Sequence, residues 1–211
     1  MRTLRTVDEV TDVVAAATRP DRRIVVGIAG APGAGKSTFA EQLVESLYPR
    51  AALVQMDGFH LSPSRLIELG RRDRMGAPDT FDVDGFRATL LAIRRGFGPT
   101  GHTVRIPGFD REIEESIPDA IAITPEFPCV VIEGNYLLLD SGGWERTAPL
   151  LDLTFFIDLA HDIRIERLIA RHERFGKTVA DARAWALGPD ETNARLIATT
   201  AARADYRIAL G

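Results

Sequence analysis

Eight residues limit what this chain can fold into more than any others: Gly30-Ala31-Pro32-Gly33-Ala34-Gly35-Lys36-Ser37, followed by Thr38. They fit G-x-x-x-x-G-K-[ST]. A short β-branched apolar run, Arg23 to Ala29, leads into them. From Lys36 the apolar period becomes that of a helix, with Phe39, Leu43 and Leu47 on one stripe. A glycine-rich turn between a buried strand and a helix N-terminus suits an anion. Gly33 and Gly35 let the backbone curl so that successive N–H groups point at phosphate oxygens, and the helix end adds partial positive charge. In such a loop Lys36 reaches the β- and γ-phosphates and Ser37 ligates Mg²⁺. The expected ligand of residues 30–38 is a nucleoside triphosphate.

The remaining pattern builds a domain around that loop. The spacing predicts a leading helix over 6–17, a second strand over 51–56, and a helix closing at Arg95, capped by Asp82 or Asp84 and stopped by Gly96. Strands are predicted over 128–132 and 153–157, helices over 161–175, 178–187 and 190–203, and a last strand over 206–210. Strands alternating with helices predict a three-layer α/β fold with a mostly parallel sheet, a single domain over 1–211. Gly- and Pro-rich residues 70–125 break the rhythm and read as a substrate-side insertion with lid-like segments.

Composition narrows the class. Twenty-six basic against thirty acidic residues, a net charge of −4, exclude a generic nucleic-acid binder. One cysteine, Cys129, allows no internal disulfide. No apolar run approaches the ~20 residues of a membrane span, and the N-terminus turns acidic at Asp8-Glu9 where a secretory leader needs its apolar stretch. The expectation is a cytoplasmic protein with a small-molecule partner.

Other phosphate-loop classes lack their marks. No Asn-Lys-x-Asp guanine reader is present, and Asp82-Val-Asp-Gly85 has no apolar strand before it. The run Val130-Val-Ile-Glu133-Gly134 ends in a lone Glu, and Ser141-Gly-Gly143 lacks the neighbours of a transporter-ATPase signature. A small-molecule kinase remains. Asp57, in Met56-Asp57-Gly58-Phe59-His60, follows the second strand, and ligands of open α/β sheets bind beyond the strands' carboxyl ends. A carboxylate there can accept a proton from an attacking hydroxyl or help position a metal; the plainer alternative is a helix cap.

Gly30 to Ser37, Met56-Asp-Gly-Phe-His-Leu61 and Val131-Ile-Glu-Gly-Asn-Tyr-Leu-Leu138 together resemble the phosphoribulokinase/uridine kinase superfamily, in particular its pantothenate-kinase-like branch. That branch includes bacterial proteins of the nucleoside/nucleotide kinase and fructose-transport-associated kinase type. The resemblance runs from Val25 to about Asp205. It implies ATP and Mg²⁺ as cofactors, Asp57 as catalytic base, and Glu133 supporting both the metal, with Ser37 and Asp57, and the attacking hydroxyl. Gly76-Ala-Pro-Asp79-Thr-Phe-Asp82 is similar to an acceptor loop of bacterial pantothenate kinases, and Pro107-Gly-Phe-Asp110-Arg111 to an acceptor-flanking element of uridine kinases and phosphoribulokinases. His60, Asp79, Asp82, Asp110 and Arg111 are the acceptor-site candidates. Phe109 stands where a Tyr is usual, and Arg105-Ile-Pro107 where pantothenate kinases carry a histidine, which argues against pantothenate as acceptor.

Arg164, Arg167, Arg171 and Arg174 fall within about 80° of one another on one helix. Arg171 and Arg174 resemble lid arginines that close over the triphosphate in a lid spanning 161–188, with Lys177 close by. Arg164 and Arg167 read as a solvated face paired with Glu166 and Glu173, and Ile165, Leu168, Ile169 and Phe175 as the inward face. His102, His161 and His172 have no metal-ligand spacing. Trp144 and Trp185 read as packing, and Cys129 as inert core. The expected reaction moves the γ-phosphate of MgATP to a hydroxyl of a sugar, nucleoside or pantothenate-like alcohol. A nucleotide kinase served by Arg71-Arg72 and Arg94-Arg95, a regulatory ATP-binding module, and a homodimer stay open.

Overall fold

The computed structural model describes residues 1–110, 113 and 115–210. Its centre is β2 (Ile24–Gly30), buried at all seven positions. Successive side chains of a strand point to opposite faces, so a strand covered on both sides must be apolar throughout. Val25 and Ala29 enter one core, with Phe86, Leu90 and Ile93 of α4 (Val83–Arg95) and Ile197 of α7 (Pro189–Ala198). Ile24, Val26 and Ile28 enter the other, with Val10 and Val14 of α1 (Val7–Ala17) and Phe39, Ala40 and Leu43 of α2 (Lys36–Ser46). Two cores about one sheet make the three layers.

The sheet has six parallel strands in the order β1-β8-β7-β2-β6-β3. β3 (Ala51–Gln55), β6 (Cys129–Gly134), β7 (Leu153–Asp158) and β8 (Tyr206–Ala209) fall where the apolar runs predict them. β1 (Arg2–Leu4) does not follow from the pattern, because only Leu4 of its three residues is buried and its partner is β8, two hundred positions downstream. Helices α5 (His161–Arg174), α6 (Val179–Leu187) and α7 follow β7. α1 starts on a capping box: Glu9 N donates to Thr6 Oγ1 at 3.2 Å and Thr6 N to Glu9 Oε2 at 3.3 Å. Asp82 caps α4, accepting from Gly85 N at 2.9 Å.

Residues 70–125 contain more order than their composition suggests. Besides the whole of α4, they form an antiparallel hairpin, β4 (Val104–Asp110) with β5 (Glu115–Ile123). Its register shifts between Ile106 and Gly108, at Pro107. A proline has no N–H for the ladder, so a strand bearing one bulges there, and that interruption hides the strand from a period-two reading. A short helix, α3 (Pro63–Glu68), precedes the segment, with Ser62 as N-cap. No helix among the described residues is long and apolar enough to cross a membrane.

Candidate active site

Parallel strands end on the same side, and three of them deliver the site. β2 runs into the phosphate loop, whose Gly33 (φ 79°) and Gly35 (φ 90°) occupy left-handed backbone that only glycine adopts cheaply. Helix α2 begins at Lys36, so its unpaired N–H groups face the loop. Lys36, 8% exposed, holds its ammonium 3.1 Å from Ala31 O. Ala31 to Ala34 close a turn through Ala34 N and Ala31 O at 3.1 Å, and Thr38 sits in the first helical turn.

β3 and β6 pair in the register Gln55↔Glu133, which sets Asp57, just past β3, beside the end of β6. Gly134 permits this approach: a Cβ there would sit 2.6 Å from the Cβ of Met56. Glu133 is 3% exposed, and Ser37 Oγ donates to its Oε1 at 3.0 Å. A buried carboxylate and a hydroxyl at a phosphate loop are hard oxygen donors of the kind Mg²⁺ takes, the ion drawing its other oxygens from phosphates and water. Among the described residues no cluster of three or more His, Cys, Asp or Glu side chains would hold a metal by protein ligands alone. The set present fits a nucleotide-borne Mg²⁺, which Ser37, Glu133 and Asp57 would hold.

A cavity of about 390 Å³ opens here, lined by Pro32, Lys36, Ser37, Asp57, Glu133, His60 and Arg171 among others. The sequence therefore brings loop, carboxylates, one acceptor candidate and one lid arginine to a single hollow. His60 stacks on Phe81 with ring centroids 4.0 Å apart, and Phe109 lies 5.1 Å away. The other candidates are elsewhere. Asp79 is paired with Arg74 at 2.7 Å and Arg71 at 3.3 Å, and holds the 76–82 loop rather than facing the cavity. Asp82 is the α4 cap. Asp110 ends β4, where it accepts from Ile113 N at 3.4 Å. Arg111 lies outside the described residues. Arg174 is exposed and does not line the cavity.

The arginine helix is not the solvated face its charges suggest. Arg164 is 5% exposed, bonds Glu191 and approaches Pro32 O at 3.4 Å, so it packs α5 on the phosphate loop. A Cβ at Gly33 would meet Leu168 Cγ at 2.7 Å, another mark of that close packing. Burial would raise the Glu191 carboxyl, but the Arg164 guanidinium overrides it and holds the group below the usual carboxylate range. Arg167 is exposed, with Nη1 3.4 Å from where a Gly35 Cβ would stand. Phe175, expected to face inward, is 46% exposed on the cavity rim. Arg94 is bound to Asp152 at 2.9 Å, away from the cavity, whereas Arg72 lines it.

Several cavity residues escape sequence reasoning. Trp185 lines the wall with Lys177 4.9 Å above its ring, while Trp144 is core as expected. Tyr136 donates to Gly76 O at 2.5 Å, and burial, reinforced by Asp190, Asp57 and Asp79, keeps its phenol strongly protonated. His172, Asp190 and Asn193 come from two helices and carry no motif. Asn135 does fall within Glu-Gly-Asn-Tyr, the one available signal.

A phosphate loop on the central strand, facing carboxylates from the two strands on one side of it, defines a P-loop kinase fold. Known proteins agree. A crystal structure described as a "putative fructose transport system kinase" from Silicibacter sp. TM1040 superposes with a TM-score of 0.88 at 33% identity, over 97% of this chain and 99% of that one. Escherichia coli K12 YggC, described as uncharacterized, is 36% identical over 179 residues, 82% of this chain and 72% of its own. A Schizosaccharomyces pombe protein described as "Putative uridine kinase C227.14" is 32% identical over 163 residues, 72% of this chain and 67% of its own. The model of the Phosphoribulokinase / Uridine kinase family matches residues 25–184, and the chain belongs to that family: it is an ATP-dependent kinase.

Proposed function

We propose that this kinase moves the γ-phosphoryl group of ATP to a hydroxyl of a small metabolite, with Asp57 as the base. The observation that carries the reading is the convergence of Lys36, Ser37, Asp57 and Glu133 on one cavity from three adjacent strand ends. The phosphate loop binds and orients the triphosphate, and Lys36 leaves Ala31 O to follow its terminal phosphates. Asp57 accepts the proton of the acceptor hydroxyl as its oxygen lines up with the γ-phosphorus, and the O–P bond to ADP breaks. Arg171, on the cavity wall, stabilises charge on the transferred group. Bound Mg²⁺ supplies charge neutralisation on the phosphates.

Helix α5 joins the two functions. Its first half is packed on the phosphate loop through Arg164 and Leu168, and its last turn carries Arg171 and His172 along the cavity. In this reading residues 161–188 and the 70–125 segment exclude water when substrates are bound, which restrains hydrolysis. Relatives named as uridine and pantothenate kinases mark nucleosides and pantothenate-like alcohols as acceptor classes, beside sugars. Arg72 on the cavity wall keeps phosphate-bearing acceptors among them.

The test is acceptor-dependent ADP release with MgATP over sugars, nucleosides, nucleotides and vitamin-like alcohols. One acceptor is expected to stimulate release in the native chain, with Lys36→Ala losing most of it. Asp57→Asn is expected to abolish turnover while keeping affinity for a non-hydrolysable ATP analogue. Near-normal turnover in Asp57→Asn would sink the base assignment.

A further inference from the structure

The first turns of α7 carry three polar side chains that the transfer chemistry does not use, and each reaches a different part of the site. Asp190 Oδ2 lies 2.7 Å from His172 Nε2, the neighbour of Arg171 on α5. Glu191 bonds Arg164, which in turn approaches the phosphate-loop carbonyl of Pro32. Asn193 Nδ2 donates at 3.2 Å to the carbonyl of Gly76, where the 76–82 loop begins. That oxygen also receives the Tyr136 hydroxyl at 2.5 Å. The same loop is held further on by Trp144 Nε1 on Pro78 O at 3.1 Å.

Packing does not require these residues. Ala194 and Ile197 dock α7 on the core, and Asp190 and Asn193 are each only 7% exposed. Burying a carboxylate and an amide costs free energy unless their hydrogen bonds are made, so such groups supply direction rather than adhesion. The helix dipole accounts for acidic residues in this turn, but neither for Asn193 nor for where the three side chains end.

We propose that the start of α7 is the post that registers the two halves of the transfer site. Glu191 and Asp190 hold α5 against the phosphate loop, Asn193 holds the 76–82 loop, and nucleotide binding at 30–38 thereby orders residues 76–80. The proposal rests on the kinase reading, since it needs a triphosphate in the phosphate loop. A bound triphosphate fixes the loop backbone at Pro32, Arg164 and Glu191 pass that restraint to a rigid ten-residue helix, and Asn193 passes it to Gly76. The acceptor then meets a loop already formed, so less ordering is left for it to drive. Asp190, Glu191 and Asn193 are positioning residues in this scheme.

Hydrogen exchange of the full chain, with and without a non-hydrolysable ATP analogue and Mg²⁺, tests it. The native chain is expected to gain protection at both 30–38 and 76–80. Asn193→Leu keeps the side-chain size, adds no charge to the cavity and loses the donor to Gly76 O; it is expected to keep the gain at 30–38 and lose the one at 76–80. Its acceptor KM is expected to rise about tenfold with the ATP KM unchanged, a split that general loosening would not give. Glu191→Gln weakens the tie to Arg164 and serves as the second variant, also expected to lose the gain at 76–80. A gain at 76–80 retained by both variants, or absent from the native chain while 30–38 is protected, overturns the proposal and leaves the kinase reading standing. No protection at 30–38 in the native chain overturns both.

Discussion

Gly58 directly follows Asp57, and the hairpin lies against it. A Cβ at Gly58 would stand 2.4 Å from Pro107 O and 3.0 Å from Pro107 C. Carbon and carbonyl oxygen settle no closer than about 3.3 Å, so Gly58→Ala must open roughly 0.9 Å between the Asp57 turn and β4. Gly58 has no left-handed φ, so the effect is steric. Overpacking of this kind costs about 1–3 kcal/mol. The Ser116 hydroxyl donates to Gly58 O at 2.5 Å, and weakening that bond adds about 1 kcal/mol. For a chain of this size each kcal/mol moves Tm by about 2–4 °C, so the two costs together predict a fall of roughly 4–16 °C. A shift near 1 Å at the base costs on the order of 100-fold in turnover. Lys36 and the phosphate loop are carried on a different strand, so affinity for an ATP analogue should stay within about twofold. Thermal melts, analogue binding and acceptor-dependent ADP release read the three quantities. Native Tm and native turnover in Gly58→Ala would refute the idea that the hairpin positions Asp57.

Arg171→Ala should lower kcat by about 10- to 100-fold, since Arg171 faces the cavity, whereas Arg174→Ala should change it less than about twofold in the same assay. Arg164→Leu strips Glu191 of its buried partner but leaves Arg195 and His161 beside it, and should cost about 1–3 kcal/mol in denaturant unfolding. Glu191 has a depressed carboxyl in the folded chain, so its contribution to stability is present above the unfolded pKa and lost as pH falls through the folded one. In Arg164→Leu that part of the acid dependence should shrink in pH-dependent melts, with Arg195 and His161 still beside Glu191. Burial pushes the Cys129 thiol up to about 12, so it stays protonated near neutrality. A thiol reagent at pH 7.5 should leave the native chain unlabelled and react only after unfolding.

Much of the site is legible in the linear chain because its parts are short and local. The phosphate loop needs glycines, a lysine and a helix start in consecutive positions, and Asp57 needs only to follow a strand. The arginine helix shows the limit. Arg164 and Arg171 lie on one helical stripe, yet one is a buried strut under the loop and the other a cavity residue. Helical spacing gives the direction of a side chain and nothing of what stands opposite it. The 76–82 loop shows the same limit: the chain order places Asp79 and Asp82 in an acceptor-like loop and says nothing of their partners, which are Arg71, Arg74 and the α4 N-terminus.

By itself the sequence determined a nucleotide-binding α/β domain, its central strand and its phosphate loop. Those follow from local backbone chemistry and from hydrophobic period. Only the tertiary structure decided which polar residues face the cavity and which brace it. Trp185, His172, Asp190 and Asn193 reach the hollow from helices formed long after the motif in sequence, and the Pro107 hairpin reaches Gly58, the residue after Asp57, across the sheet's end. Such meetings depend on how elements pack, which is set by the whole core and carries no signature within any one segment.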